Sequence, residues 1–169
     1  MGDDLYQSVR SEYSAALERL ARAYEADPDR CRDLLQEIHF ELWRSFDAYG
    51  ERCSLRTWVY RVAHNTAVSY IVRQRRSNLR NLLTLEDIES APSPGDHGRK
   101  SEDRLALARL YRLIHQLKPL DRQIMLLYLE DMDGESIGEI TGLSAGAVRI
   151  QIHRIKKILT RQFHAGGAI

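Results

Sequence analysis

ESIGEITGLSAGAVRIQIHRIKK, residues 135–157, decides the C-terminal architecture. A short helical segment carrying Ile137 and Ile140 runs into Thr141-Gly142. Glycine takes the left-handed conformation that a tight helix exit needs. Leu143 follows as a plug for the angle between two helices, and Ser144 is a capping residue for the second. That second segment opens on the small residues Ala145 and Gly146, and its apolar stripe is Val148, Ile152, Ile155 and Leu159. This is the layout of a helix-turn-helix. With the stripe turned inward, Arg149, Gln151, His153, Arg154, Lys156 and Lys157 are left on or near the outer faces. Such a helix fits the major groove, its first turns reaching base edges and its basic end the phosphates. Ser144, Arg149, Gln151, His153, Arg154 and Lys157 are therefore the candidate duplex contacts. A plain helical hairpin with a solvated basic face has the same outline; the capped turn and the acid-free second helix favour DNA.

Before this stretch, residues 103–117 read as a helix through Leu107, Leu110, Ile114 and Leu117, and Pro119 starts another that buries Ile124, Leu127 and Tyr128. Upstream lies ESAPSPGDHGRKSED (89–103), rich in proline, glycine, serine and charge, which reads as a linker together with SNLRNLLTLEDI before it. Three longer helices precede it. Residues 4–26 carry Leu5, Val9, Tyr13, Ala16, Leu17, Leu20 and Tyr24 at helical spacing, and DPD (27–29) breaks that helix. Arg30 to Phe46 carries Leu34, Leu35, Ile38, Leu42 and Phe46. After the loop AYGERC, Ser54 caps a third helix with Leu55, Trp58, Val59, Val62, Ala63, Thr66 and Tyr70 on its stripe. The expectation is an all-α protein: two small helical domains, residues 3–78 and 103–164, joined by a flexible linker, 79–102, the second domain holding the helix-turn-helix.

The net charge of +1 conceals blocks. Residues 1–51 hold twelve acids against six bases, 52–80 hold seven bases and no acid, and 145–169 hold five bases and no acid. Acid-free basic helices attract polyanions. No run approaches the length of a membrane span, and MGDDLYQSVR lacks the layout of a signal peptide. Two cysteines, Cys31 and Cys53, are few for a secreted domain of 169 residues. The expectation is a cytoplasmic protein with reduced thiols. Cys31, Cys53, His39 and His64 match no metal-ligand spacing, and no Gly-rich phosphate loop, nucleophile elbow or paired-carboxylate pattern occurs. Neither metal, cofactor nor catalysis is expected.

SLRTWVYRVAHNTAVSYIVRQRR (54–76) has a different logic from the C-terminal helix. Single-stranded DNA needs flat side chains on which bases stack and cations that follow its phosphates. Trp58, Tyr60 and Tyr70 are candidate platforms; Arg56, Arg61, Arg73, Arg75 and Arg76 are candidate phosphate contacts. Asn65 offers a donor and an acceptor for the edge of a flipped-out base. Trp58 also falls on the apolar stripe, where a core role competes with a stacking one.

These residues resemble a known family. DLLQEIHFELWRSFDAYGERCSLRTWVYRVAHNTAVSYIVRQRR resembles the second conserved domain of bacterial sigma factors, specifically the small extracytoplasmic-function group. LKPLDRQIMLLYLEDMDGESIGEITGLSAGAVRIQIHRIKKIL resembles their fourth domain. The two motifs stand in the family's order with a linker between them. The resemblance implies a transcription initiation factor that binds RNA polymerase core, opens the minus-ten element, holds the non-template strand and docks on the minus-thirty-five duplex. It places Asn65 near the captured minus-ten base, the loop 48–53 around that base, and Arg73, Arg75 and Arg76 at the upstream duplex edge. It implies that residues 30–46 grip the coiled coil of the beta-prime subunit, with Asp33, Gln36, Glu37 and Glu41 facing it and Leu34 and Trp43 supplying apolar contact. The beta flap and an anti-sigma factor are further implied partners.

Several residues depart from the family pattern: His39 for a frequent Phe, Glu41 for a base, Ser69 for an Asp, Ile150-Gln151 for Ser-Arg, and Gly134 and Gly138 for larger residues. The changes in the helix-turn-helix alter the side chains available to read bases. A conventional helix-turn-helix regulator is the competing reading. It accounts for 134–160 and leaves 54–76 without a task, and it calls for a dimer seam that the sequence does not display.

Overall fold

The structure, a computed structural model, describes the backbone of residues 2–81 and 102–165 and the side chains of 4–76 and 103–165. The described residues form seven α-helices and one 3-10 turn, with no strand among them. They are α1 (Gly2–Tyr24), α2 (Pro28–Ser45), α3 (Leu55–Asn81), α4 (Glu102–Gln116), α5 (Pro119–Leu129), α6 (Gly134–Thr141) and α7 (Ala145–Ala165).

The N-terminal half is a three-helix unit. Asp27 ends the break after α1 by capping α2, its carboxylate accepting from Asp29 N–H at 3.0 Å and Arg30 N–H at 2.9 Å, with Pro28 in the first turn. Leu34, Ile38 and Leu42 recur every four residues on the inward face of α2 and are fully buried. They meet Val9, Leu17, Leu20 and Tyr24 of α1 and Val59, Ala63 and Ala67 of α3. Ser54 caps α3 as its sequence position suggested: its Oγ accepts from Thr57 N–H at 3.1 Å. α3 continues to Asn81, beyond the stretch read as helix and into the expected linker. Residues 77–81, SNLRN, contain neither proline nor glycine to end it. The remainder of that linker, 82–101, lies outside the described residues.

In the C-terminal half, Pro119 opens α5 as expected, and Ile124, Leu127, Ile137, Val148 and Ile155 bury themselves between α5, α6 and α7. Asp133 caps α6 through Glu135 N–H and Ser136 N–H. The exit of α6 is built on two glycines. Gly142 lies at φ 78° and returns its N–H to the Gly138 carbonyl at 2.8 Å. A Cβ on Gly138 would stand 2.5 Å from the Leu143 carbonyl oxygen, so only a hydrogen at that Cα lets the turn close. This explains one of the two glycine departures; Gly134 has ordinary van der Waals room. Ser144 caps α7, its Oγ accepting from Ala147 N–H at 3.2 Å.

The halves pack on each other. α1 touches α4, and α3 touches α5 and α6.

Candidate nucleic-acid interface

On α7, Val148, Ile155 and Leu159 are buried, and Arg149, Ile150, His153, Arg154 and Lys157 are exposed. Four of the six candidate duplex contacts therefore share the open face, and Ser144 is exposed at its start. Gln151 does not share it. It sits at the flank, half-buried, and its side-chain amide donates to the Asp121 carboxylate of α5. Arg154 lies 3.7 Å from the same carboxylate while its own side chain stays 60 % exposed. Asp121 thus ties α7 to α5 through Gln151, with the exposed Arg154 guanidinium beside it.

α3 divides its candidates between two faces. Asn65, Ser69, Arg73 and Arg76 recur at helical spacing and are exposed, with Arg75 beside them. Arg73 pairs with Glu37 of α2 across this surface. Trp58, on the same side, is half-buried: its indole N–H donates to Ser45 Oγ at 3.2 Å and its ring lies 5.5 Å from that of Tyr49. Tyr70 is 6 % exposed and donates its hydroxyl to the Arg30 carbonyl at 3.3 Å, so its ring belongs to the core between α2 and α3.

The other face of α3 meets the C-terminal half, and here a residue that sequence reasoning missed takes the central place. Glu130, at the end of α5, receives Arg19 of α1 in a two-pronged bond at 2.7 and 2.8 Å and the Tyr60 hydroxyl at 3.2 Å. Its backbone carbonyl accepts from Arg56, and the Glu139 carbonyl accepts from Arg61 at 3.3 Å. The Arg19 pair holds the Glu130 carboxyl below the ordinary carboxylate range, against the opposing effect of burial. Three candidate single-strand contacts, Arg56, Tyr60 and Arg61, thus face protein acceptors in this arrangement, and Tyr60 is 2 % exposed.

Beneath this junction is a buried polar node. Tyr24 Oη and His64 Nδ1 are 2.9 Å apart, and the Arg122 guanidinium lies 5.5 Å from the Tyr24 ring centre. Burial drives the His64 pKa down to about 3, so the ring is neutral. His64 also borders a largely apolar cavity of about 210 Å³ between the halves, with Leu107, Leu110, Tyr111 and Leu126 among its walls.

On α2, Asp33 and Gln36 are exposed, Glu37 is engaged with Arg73, and Glu41 pairs with Arg44 at 2.6 Å. The expected apolar pair needs one correction. Leu34 is fully buried because it heads the inward stripe with Ile38 and Leu42, so it offers nothing to a partner. The apolar surface is Phe40, 54 % exposed, beside Trp43, their rings 6.2 Å apart and Arg44 over the Phe40 face. Phe40 was legible in principle, since it falls opposite the buried stripe.

Residues 9–77 match the family model Sigma-70 region 2, and residues 107–159 match Sigma-70, region 4. The chain is 31 % identical over 135 residues to the ECF RNA polymerase sigma-E factor of Haemophilus influenzae, covering 75 % of this chain and 71 % of that protein. It is 25 % identical over 147 residues to RNA polymerase sigma factor SigV of Bacillus subtilis, covering 85 % and 82 %. Two solved structures share the fold at 18 % identity. CnrH in complex with the cytosolic domain of CnrY aligns with a TM-score of 0.68 over 95 % of this chain and 88 % of that one. The sigma factor RpoE in complex with the anti-sigma factor NepR from Bartonella quintana aligns with a TM-score of 0.67 over 92 % and 96 %. Both motifs read from the sequence fall inside the matched regions and in the same order, and the chain belongs to the extracytoplasmic-function sigma factors of RNA polymerase.

Proposed function

We propose that this sigma factor divides promoter recognition between two cationic helix faces. The first is the exposed stripe of α3, Asn65, Arg73 and Arg76 with Arg75. It takes the unpaired non-template strand of the minus-ten element, Asn65 hydrogen-bonding a flipped base and the arginines following the phosphates. The second is the outer face of α7, Arg149, His153, Arg154 and Lys157 with Ser144 at its start, which docks on the minus-thirty-five duplex. The two modules are residues 3–78 and 103–164, joined by 79–102, whose first three residues prolong α3. The acidic and aromatic face of α2, Asp33, Gln36, Glu37, Glu41, Phe40 and Trp43, binds the beta-prime coiled coil, acids providing attraction to a basic partner and the rings the contact area. The fourth-domain module meets the beta flap.

The single observation that carries this reading is that each half exposes a cationic helix face with no acid of its own, the acids beside Arg73 and Arg154 being Glu37 and Asp121 of neighbouring helices. Arg56, Tyr60 and Arg61 join the single-strand surface only after their bonds to the C-terminal half are exchanged for DNA. The packed form is therefore the resting state, and separation of the halves accompanies engagement. Since two proteins of the same fold were solved as complexes with CnrY and with the anti-sigma factor NepR, we assign an anti-sigma factor as the partner that would hold such a state.

The test compares two variants with core polymerase on one promoter. Asn65→Ala loses promoter opening, read by permanganate reactivity, by about 5- to 150-fold, the range for one base-specific pair, while the footprint on the upstream duplex persists. Arg149→Ala weakens the upstream footprint and spares binding to a pre-melted bubble. Equal loss of both activities by either variant contradicts the division.

A further inference from the structure

The most exposed large apolar side chain of the described residues is Ile150, 72 % open to solvent in the second turn of α7. Its position is not a flank. Ile150 lies at the centre of the outer face, with Arg149, His153, Arg154 and Lys157 around it, all exposed. One turn earlier on the same face is Gly146, and a Cβ built there meets nothing within 4 Å. Helical side chains lean toward the N-terminus, so Ile150 leans over the bare glycine and, among the described residues, none shields it. An isoleucine held in water contributes no burial to folding, and a cationic rim argues against an apolar protein partner at this spot. A polyanion with an apolar group at its centre fits both features. In the major groove, the apolar group that a base pair presents is the C5-methyl of thymine.

We infer that Ile150 reads the C5-methyl group of a thymine in the upstream promoter element, and so specifies a T·A pair at one position. This rests on the reading that α7 docks on duplex DNA. The methyl group packs against the isoleucine Cγ2 and Cδ1, with Gly146 leaving room for the base edge to approach, while Arg149 and Arg154 fix the register from either side. Gln151, held by Asp121 at the flank, does not compete for the same base.

The experiment deletes only the methyl. Holoenzyme assembled from the full chain and core polymerase selects duplexes from a randomised pool. In the enriched upstream element, each thymine is then replaced in turn by uracil, and binding is measured for wild type, Ile150→Val and Ile150→Ala. Burying one methyl group corresponds to about fourfold in affinity. Wild type is expected to lose about that factor at one thymine and little elsewhere. Ile150→Ala is expected to bind the thymine duplex about as weakly as wild type binds the uracil duplex, and to be indifferent to the exchange, while Ile150→Val keeps part of the discrimination. A merely structural role would weaken binding to both duplexes equally. An enriched element in which no thymine is sensitive to uracil overturns the inference and leaves the docking of α7 standing, as does sensitivity that persists in Ile150→Ala. A pool that yields no upstream element overturns the docking itself and the inference with it.

Discussion

Glu130→Gln is the perturbation with the widest consequence, because one carboxylate ties α1, α3 and α5 together. Its side chain is 18 % exposed, and the Arg19 side chain is 50 % exposed. A fully exposed pair is worth about 0.2–1 kcal/mol, and a hydrogen bond to a charged group about 1.5–3. A half-buried, two-pronged bond plus the Tyr60 hydroxyl lies between, at about 1–2 kcal/mol. The amide keeps the shape and removes the charge, so the equilibrium between packed and separated halves moves by about 5- to 30-fold toward separation. The assay is energy transfer between dyes on Ser8→Cys and Arg161→Cys, two exposed positions in different halves, with Cys31 and Cys53 replaced by serine. Affinity for a single-stranded oligonucleotide should rise in parallel, since Arg56 and Tyr60 are released. The pH dependence has a definite sign. The carboxyl is held low in the packed form, so its contribution is complete above the ordinary carboxylate pKa and fades as pH falls through the depressed value. Wild type should therefore open in acid, and the Gln variant should lack that component. Unchanged energy transfer and unchanged oligonucleotide affinity in Glu130→Gln would refute the claim that this cluster holds the halves together.

Other consequences are separable. Gly138→Ala should destabilise the C-terminal half by about 1–3 kcal/mol, because its Cβ meets the Leu143 backbone oxygen rather than a movable side chain; a melting temperature equal to wild type would contradict the close approach. Phe40→Ala should weaken binding to core polymerase by more than about 1 kcal/mol without altering the melting temperature, as expected of an exposed aromatic anchor; an unchanged dissociation constant in titration with core would remove Phe40 from that face. Buried, neutral His64 makes stability fall as pH drops from about 6.5 toward 3, because the unfolded chain takes up a proton that the folded ring refuses. The slope reaches about 1.4 kcal/mol per pH unit, and His64→Gln should flatten it; parallel urea-denaturation profiles for the two proteins would show that His64 is not responsible.

What the sequence disclosed, and what it concealed, follows from the range of the interactions. The helices around Leu34, Ile38 and Leu42, the caps at Ser54 and Ser144, and the glycine turn at 142 are local patterns, and each stands where its spacing places it. The open face of α7 was equally legible, except for Gln151, which lies about 100° round the helix from Ile150 and so meets Asp121 thirty residues away. Leu34 belongs to the buried stripe by its spacing with Ile38 and Leu42, and resemblance to a binding helix does not tell which of its apolar residues face outward. Tyr60 and Tyr70 are aromatic residues on an arginine-rich helix, and composition cannot distinguish a ring awaiting a base from one filling a core. Only the packing of α3 against α2 and α5 does so. Glu130 was invisible: Arg19 is 111 residues away, and no local pattern marks an acid that closes two halves on each other.

The central claim is that this chain supplies core polymerase with promoter specificity through two surfaces. Run-off transcription with purified chain and core polymerase on a genomic promoter library tests it most directly. Transcripts should start at defined positions, be lost with Asn65→Ala on duplex templates and return when the minus-ten region is pre-melted. Transcripts that start at random, or at the same positions with and without the chain, would contradict it.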